Sequence, residues 1–218
     1  MIKKLAAVAA LALLGACSSA KTDTPAAQSA SQPLPPFLFV QEVAGAEIVG
    51  QGQLGYRFAL LQPNGNRLAE NTPFALTHSS VKVPGSNAKN VYQGITNERG
   101  LTPVFAFAQG VPEEGWILLP RVGEGANGLW FTLSSPQQQL LSGVPYSIAV
   151  CAAQAYWVHG QSNSRGQTAY IATAVETPLR LYPYSDDAAV QQERLKTCPP
   201  LKAEPKGKAA RKTVKGKR

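Results

Sequence analysis

An internal repeat constrains this chain of 218 residues more than any other feature. Two segments, 91–102 and 157–168, carry the same glycines, asparagine, arginine and threonine at the same spacing. The matched pairs are Gly94 and Gly160, Asn97 and Asn163, Arg99 and Arg165, Gly100 and Gly166, and Thr102 and Thr168. Upstream, Phe58 matches Phe131 and Pro73 matches Pro145, so repeat 1 has extra residues between Pro73 and Gly94. The pattern predicts one small domain that is present twice.

The segments between the repeated motifs predict β-strands. Short runs rich in aromatic and β-branched residues alternate with Pro, Gly and Asn, which favour turns. The predicted strands are 37–41, 56–61, 74–78, 90–93, 104–108 and 116–119 in repeat 1, and 129–133, 146–150, 156–159, 169–173 and 179–182 in repeat 2. Residues 62–66 and 97–100 predict hairpin turns, and a single helix is predicted at 186–196 with Ser185 as its cap. We therefore expect an all-β chain of tandem small Greek-key β-sandwiches.

The N-terminus predicts export and lipidation. Lys3 and Lys4 precede the apolar segment 5–14, which is too short to span a bilayer. The Leu-Gly-Ala-Cys sequence that ends at Cys17 resembles the lipobox of bacterial lipoproteins, which implies cleavage before Cys17 and its acylation. Ser18 stands where an Asp would resemble an inner-membrane retention signal, so we expect a lipid anchor in the outer membrane, at its periplasmic face, with surface exposure left open. An ordinary secretory peptide with an incidental cysteine is the alternative.

The two other cysteines predict a disulfide bond. If Cys17 is lipidated, Cys151 and Cys198 remain, and two thiols of an exported protein usually pair. Two free thiols are the alternative. A metal site is not expected, because His78 and His159 lack ligand spacing to either cysteine.

The positive charge belongs to the C-terminal tail. The whole chain carries +8. Cleavage would remove Lys3 and Lys4, and the tail 202–218 has eight basic residues against Glu204, so residues 17–201 carry about −1. After Leu201 the tail has no large apolar side chain other than Val214, and such a sequence cannot fold alone. We expect it to contact an anionic envelope polymer or lipid, through basic residues that include Lys206, Lys208, Arg211 and Lys212. A solubilising tail with no dedicated ligand is the alternative, and no nucleic acid is expected.

These features divide the chain into five parts. They are a signal peptide at 1–16, the lipidated cysteine and a flexible linker at 17–36, repeat 1 at 37–125, repeat 2 at 126–201, and the disordered basic tail at 202–218. The linker is rich in Ser, Ala, Thr, Gln and Pro, which is typical of a tether.

Several segments resemble transthyretin-like domains. They are 141–148, 159–168 and 176–182 in repeat 2, and 71–76 and 94–102 in repeat 1. The similarity is to the domain at the C-terminus of type VI secretion spike proteins, and related domains occur as carboxypeptidase-regulatory-like and adhesin modules. This chain has Asn97 and Asn163 where that family often has Asp, and Asn makes the same turn bonds without charge. The resemblance implies an Ig-like Greek-key sandwich and a docking role rather than catalysis.

Candidate catalytic residues are few. Aspartate occurs only at 23, 186 and 187, which excludes a pair of catalytic aspartates inside the β-region. His78 is followed by Ser79 and Ser80, but a nucleophile needs its base and an orienting group in spatial reach, and adjacency in sequence supplies neither. We therefore predict no catalytic residues, no metal and no cofactor.

Adjacent aromatic residues provide the main binding candidates within the repeats. Tyr156 and Trp157 are consecutive on a predicted strand, so their side chains point to opposite faces and one of them should be exposed. His159 aligns with Gln93 of repeat 1, and this match predicts that position 159 is polar and exposed. An exposed aromatic residue on a β-sandwich is a candidate for binding a protein.

Three functions fit these observations. The first is a non-catalytic lipoprotein that docks another protein in an envelope or secretion assembly. The second is a periplasmic immunity or inhibitor lipoprotein that neutralises a toxin or a cell-wall enzyme. The third is an enzyme that acts on peptidoglycan, and the missing acid–base residues weigh against it.

Overall fold

Thirteen strands and one helix make up the regular structure of the part of the chain that the computed structural model describes. The described residues are 35–63, 68–183 and 188–199. Strands account for 42% of the structure and helix for 4%, in several sheets, which confirms the predicted all-β sandwich fold. Within the described ranges, no helix combines the length and the apolar character needed to cross a membrane. The predicted signal peptide, Cys17 and the basic tail lie outside these ranges.

The strands follow one another along both repeats, and the helix comes last. Repeat 1 contains β1 Phe37–Phe39, β2 Ile48–Gly50, β3 Leu54–Tyr56, β4 Phe58–Leu60, β5 Pro73–His78, β6 Tyr92–Ile95, β7 Val104–Phe107 and β8 Trp116–Gly123. Repeat 2 contains β9 Asn127–Leu129, β10 Pro145–Val150, β11 Tyr156–Gln161, β12 Tyr170–Thr173, β13 Leu179–Pro183 and the helix α1 Ala188–Lys196.

Most predicted strands form, with three differences. The predicted strand 56–61 is divided between β3 and β4, and β2 has no predicted counterpart. The predicted strand 129–133 is wrong over most of its length, because β9 ends at Leu129 and the rest of the predicted range makes only a bridge between Thr132 and Gln167. The predicted helix 186–196 begins at Ala188 among the described residues, and its predicted cap and part of the turn at 62–66 lie outside them.

Apart from the pairing of β1 with β4 in repeat 1, the described strands of the two repeats pair in the same way. In repeat 1, β5 lies between β6 and β8, and all these pairs are antiparallel. In repeat 2, β10 lies in the same way between β11 and β13. The second layer of repeat 1 has β7 parallel to β2 and antiparallel to β3, and in repeat 2 β12 is parallel to β8 and antiparallel to β9.

Strand β8 therefore belongs to both repeats. Its first part, from Trp116 to Pro120, pairs with β5 and closes the sheet of repeat 1. Its last part, from Arg121 to Gly123, pairs with β12 and takes the place that β2 has in repeat 1. One continuous five-stranded sheet, β6-β5-β8-β12-β9, consequently links the repeats. The division of the chain at 125 and 126 stays a prediction.

Three apolar clusters fill the structure. The first lies inside repeat 1 around Trp116, Phe58 and Phe74, all of which are fully buried. The second lies inside repeat 2 around Ile148 and Ile171. The third joins the repeats, and its members are Ala75, Val91, Leu119, Tyr170 and Ala172. The junction is therefore held by buried apolar surface, the main source of folding free energy, as well as by strand pairing.

The extra residues of repeat 1 lie against repeat 2. The side-chain amide of Asn87 donates to the carbonyl of Ala126 over 3.1 Å, and Lys89 Nζ donates to Asn127 Oδ1 over 3.0 Å. Val91, from the same segment, is buried in the cluster between the repeats. The insertion between β5 and β6 thus helps to fix the repeats to each other.

The repeated motif forms the same turn twice. Asn97 Oδ1 accepts hydrogen bonds from the amides of Arg99 and Leu101 at 2.9 and 3.0 Å. Asn163 Oδ1 accepts bonds from the amides two and four residues later, both at 2.9 Å. In both turns the following glycine has a positive φ, 71° at Gly100 and 69° at Gly166, which glycine adopts without steric cost. The predicted turn at 97–100 is confirmed.

Candidate functional site

The shared strand β8 forms the floor of a groove where the repeats meet. Alternate residues of a strand point to the same face. One face of β8 accordingly carries Leu118, Pro120 and Val122, and these side chains line the space between the two sandwiches. Leu118 packs on the core of repeat 1, and Val122 packs on that of repeat 2. The groove thus exists because β8 passes from one sandwich to the other.

This junction groove has a volume of about 320 Å³. Repeat 1 provides Pro36, Leu61, Gln62, Pro63, Ala69 and Thr72, and repeat 2 provides Tyr146, His159, Gly160, Gln161, Asn163, Gln167, Thr168 and Ala169. None of the described residues that line it is Asp, Glu, Lys or Arg. Apolar side chains form the floor, while side-chain amides provide donors and acceptors at the walls, a combination typical of binding sites.

Tyr146 and Gly160 shape the wall that repeat 2 contributes. They are cross-strand neighbours on β10 and β11. A Cβ atom at Gly160 would lie 2.5 Å from the Tyr146 hydroxyl oxygen, so only glycine lets the ring lie against this strand. The same hydroxyl accepts a hydrogen bond of 2.9 Å from the amide of Ala169. Burial raises the pKa of Tyr146, and the bond from Ala169 acts in the opposite direction.

His159 links the groove to a second, more open cavity. This cavity has a volume of about 540 Å³, is lined by Pro145, Ser147 and Gln191, and shares Tyr146 and the segment 159–161 with the junction groove. His159 is exposed, as predicted, and its Nδ1 lies 2.8 Å from Ser147 Oγ. The imidazole is therefore held in place at the point where both cavities open.

A cluster of aromatic rings continues from His159 across the outer face of β11, β10 and β13. The Trp157 ring stacks on His159 with 6.2 Å between centroids, and it meets Tyr182 edge-on at 5.5 Å. Trp157 is half-buried, and its Nε1 is buried without a hydrogen-bond partner among the described residues. The ring of Tyr182 also carries the Arg194 guanidinium 4.5 Å above it, a cation–π contact.

Helix α1 is fixed near this aromatic cluster. Cys198, just after the helix, forms a disulfide bond with Cys151 at the end of β10, as predicted, with 5.3 Å between the Cα atoms. Arg180 of β13 donates a hydrogen bond of 2.8 Å to Thr197 Oγ1. These contacts and that of Arg194 tie the C-terminal end of the helix to the sheet.

The residues predicted to bind a partner do not come together in one site. Tyr156 is 39% exposed, and its side chain lies on the opposite face of β11 from that of Trp157, so it is the exposed member of this pair. Neither of the two lines the junction groove, whereas His159 does. The basic candidates Lys206, Lys208, Arg211 and Lys212 lie outside the described residues.

His78 serves the fold of repeat 1. Its side chain is 3% exposed, and its ring packs edge-on against Trp116. Nδ1 accepts from the amides of Ser80 and Val81 at 3.1 and 3.3 Å, which leaves Nε2–H to donate to the carbonyl of Pro112. Ser80 Oγ also lies 3.3 Å from Nδ1. The imidazole therefore orders the loop after β5 through both of its nitrogens.

Most lining residues of the groove could not be found from the sequence. The repeated turn is visible in the sequence, but nothing in it indicates that Asn163, Gln167 and Ala169 face a cavity. Their counterparts in repeat 1 do not line it. The available signal was Tyr146, since it replaces Phe74 of repeat 1 and a hydroxyl on a core strand needs a partner.

The described residues contain no cluster of three or more His, Cys, Asp or Glu side chains that could hold a metal ion. Comparison of the chain with models of protein families, with curated proteins and with solved structures gave no match. The resemblance to transthyretin-like domains stays a prediction.

Proposed function

We propose that this protein is a lipoprotein of the bacterial outer membrane that faces the periplasm and docks another protein in an envelope or secretion assembly. The observation that carries the docking role is the junction groove, which combines an apolar floor with uncharged polar walls. Such a surface fits an uncharged polypeptide segment, because the floor accepts apolar side chains while amides at the walls bind backbone groups.

The groove is built to keep its shape when it is empty. Its floor belongs to a strand that is paired along its length, from Trp116 to Pro120 with β5 and from Arg121 to Gly123 with β12. Its wall includes the Asn163 turn, in which one side chain accepts two backbone bonds. A site that is ordered before binding loses less conformational entropy when its partner arrives, and affinity increases accordingly.

The anchoring part of the proposal rests on the sequence that ends at Cys17. An acylated cysteine followed by a linker would place the β-sandwiches near the membrane and let them reach partners. Cys17→Ser should move the protein from the outer membrane to the soluble periplasmic fraction. Retention of the variant in the outer membrane would contradict lipid anchoring.

A variant that fills the groove tests the docking role. Gln161 is exposed and lines the groove, so Gln161→Trp should occupy it without disturbing the core. Gln137→Trp, at an exposed position outside the groove, is the matched control. Tagged proteins isolated from solubilised envelopes should share a bound protein that only Gln161→Trp loses. Equal recovery by both variants would contradict docking in the groove, and recovery of a toxin or wall hydrolase would favour the immunity alternative.

A further inference from the structure

One edge of repeat 1 is closed by a strand that has no counterpart among the described residues of repeat 2. In repeat 1, β1 pairs antiparallel with β4, with Leu38 opposite Ala59. The amide of Val40 donates to the carbonyl of Arg57, and the amide of Leu61 donates to the carbonyl of Pro36. The matching segment of repeat 2 is 130–134, and no described strand lies beside its outer edge.

Thr132 is the centre of this open edge. It corresponds to Ala59, and it makes the same bridge to the repeated turn, Thr132 to Gln167 as Ala59 to Leu101. The bridge is completed by the amides of Leu133 and Thr168, so the amide and carbonyl of Thr132 point the other way. Among the described residues, neither of these two groups makes a backbone hydrogen bond, and Thr132 is exposed.

The side chains at this edge are also less covered than in repeat 1. Phe37 and Phe39 of β1 lie 5.5 and 5.2 Å from the ring of Phe58, which is fully buried. The counterpart of Phe58 is Phe131, which is only partly buried. An incoming strand with large apolar side chains two residues apart would cover Phe131 as β1 covers Phe58.

The sequence does not protect the edge. Residues 127–135 read Asn-Gly-Leu-Trp-Phe-Thr-Leu-Ser-Ser and contain no charge and no proline. Natural proteins usually block an exposed edge with lysine, proline, a bulge or a covering segment, because unpaired amides and carbonyls can pair with another chain. Repeat 1 has such a covering segment in β1, whereas repeat 2 has none among its described residues.

We propose that the 130–134 edge is a second binding site, which takes an extended strand of a partner protein that carries large apolar residues at alternate positions. The strand adds antiparallel to the edge through the amide and carbonyl of Thr132, as peptides add to exposed edges in other domains. β1 supplies the pattern that fits, Phe-Leu-Phe. The site is separate from the junction groove, and it rests on the proposed docking role only in that the strand comes from another protein.

A peptide with the sequence of residues 35–42 tests this site, with a control peptide in which both phenylalanines are replaced by serine. The full chain in detergent should bind the first peptide only, and amide hydrogen exchange should slow at Thr132. Thr132→Pro removes the amide that the strand needs and should weaken binding roughly tenfold. Thr132→Val keeps the amide and a β-branched side chain, so it should bind as the wild type does.

Several outcomes would overturn the proposal. They are an absence of peptide binding, equal binding by Thr132→Pro, or exchange that slows only at 57–61, which would mean displacement of β1. Self-association of the chain that Thr132→Pro abolishes would assign the edge to a second copy instead. The exchange measurement uses the wild-type protein, so it decides the matter even if Thr132→Pro does not fold. Gln161→Trp should keep peptide binding, so failure of the groove and failure of this edge give different results.

Discussion

Tyr146 and Ala169 form a hydrogen-bonded pair that repeat 1 replaces as a unit. The Tyr146 hydroxyl accepts a bond of 2.9 Å from the amide of Ala169. At the equivalent positions repeat 1 has Phe74, which has no hydroxyl, and Pro103, which has no amide hydrogen. In repeat 2 the hydroxyl and the amide are therefore hydrogen-bonded to each other, and in repeat 1 both groups are absent, so neither repeat leaves one of them unpaired. In repeat 2 this bond also fixes the ring that forms a wall of the junction groove.

The first prediction exchanges these pairs. Tyr146→Phe leaves the Ala169 amide without its acceptor and should lower the free energy of unfolding by about 1–3 kcal/mol. Adding Ala169→Pro should recover much of this loss, because the unpaired amide is then gone. Urea unfolding of the wild type, both single variants and the double variant measures the coupling. Strictly additive effects would show that the two residues are not coupled in this way.

The second prediction concerns high pH. Burial raises the pKa of Tyr146, and it also raises those of Tyr92 and Tyr170. A tyrosine whose pKa is higher in the folded state than in the unfolded chain stabilises the fold while it is protonated. This contribution is complete below the pKa of the unfolded chain, about 10, and is lost as pH rises through the higher folded value. The melting temperature should therefore be constant from pH 7 to about 9 and fall above about 10. Tyr146→Phe should reduce this fall, and an unchanged fall would show that Tyr146 does not contribute.

The third prediction concerns the disulfide. Cys151 and Cys198 are 47 positions apart. A loop of that length should stabilise the protein by about 4 kcal/mol in the chain-entropy model. Replacing both cysteines with serine should lower the free energy of unfolding by a similar amount and speed amide exchange in α1. Exchange in β5, which lies in repeat 1, should change much less. Unchanged exchange in α1 would mean that the contacts of Arg194 and Arg180 hold the helix without the bond.

The fourth prediction concerns the basic tail. Residues 17–201 are nearly neutral, so affinity for anionic vesicles or peptidoglycan should depend on residues 202–218. Deletion of 202–218 should abolish this binding and leave the melting temperature unchanged. Binding by the intact protein should weaken between roughly 0.1 and 0.5 M salt, because screening shortens the reach of each charge. Binding that the truncated protein retains would place the interaction on the β-sandwiches.

The sequence allowed prediction of the parts of the fold that depend on local residues. Asn97 and Asn163 each close a turn with their own side chain, and Gly100 and Gly166 accept a positive φ, so neighbours within a few positions determine these turns. The pairing of Cys151 with Cys198 followed from the cysteine count, since only these two remain if Cys17 is lipidated. Strand identity followed from composition, except at β2, which was not predicted, and at 129–133, where the strand ends at Leu129.

The groove could not be predicted because it depends on contacts between distant segments. The parallel pairing of β8 with β12 joins Arg121 to Tyr170, and no local pattern indicates that a strand closing one sandwich continues into the next. The same pairing brings His159 to a cavity whose opposite wall includes Pro36. Tyr156 and Trp157 are conspicuous in the sequence as adjacent aromatic residues, but the side chains that line the cavity are mostly small or amide-bearing.

Photo-crosslinking at Gln161 in living cells tests the docking role most directly. A photoreactive phenylalanine analogue at this exposed position would lie in the junction groove, and the same analogue at Gln137 serves as the control. We expect one defined protein adduct from Gln161 that is absent at Gln137 and is lost when Cys17→Ser releases the protein from the membrane. No adduct from Gln161, or the same adducts from both positions, would contradict the proposal that the groove docks a protein.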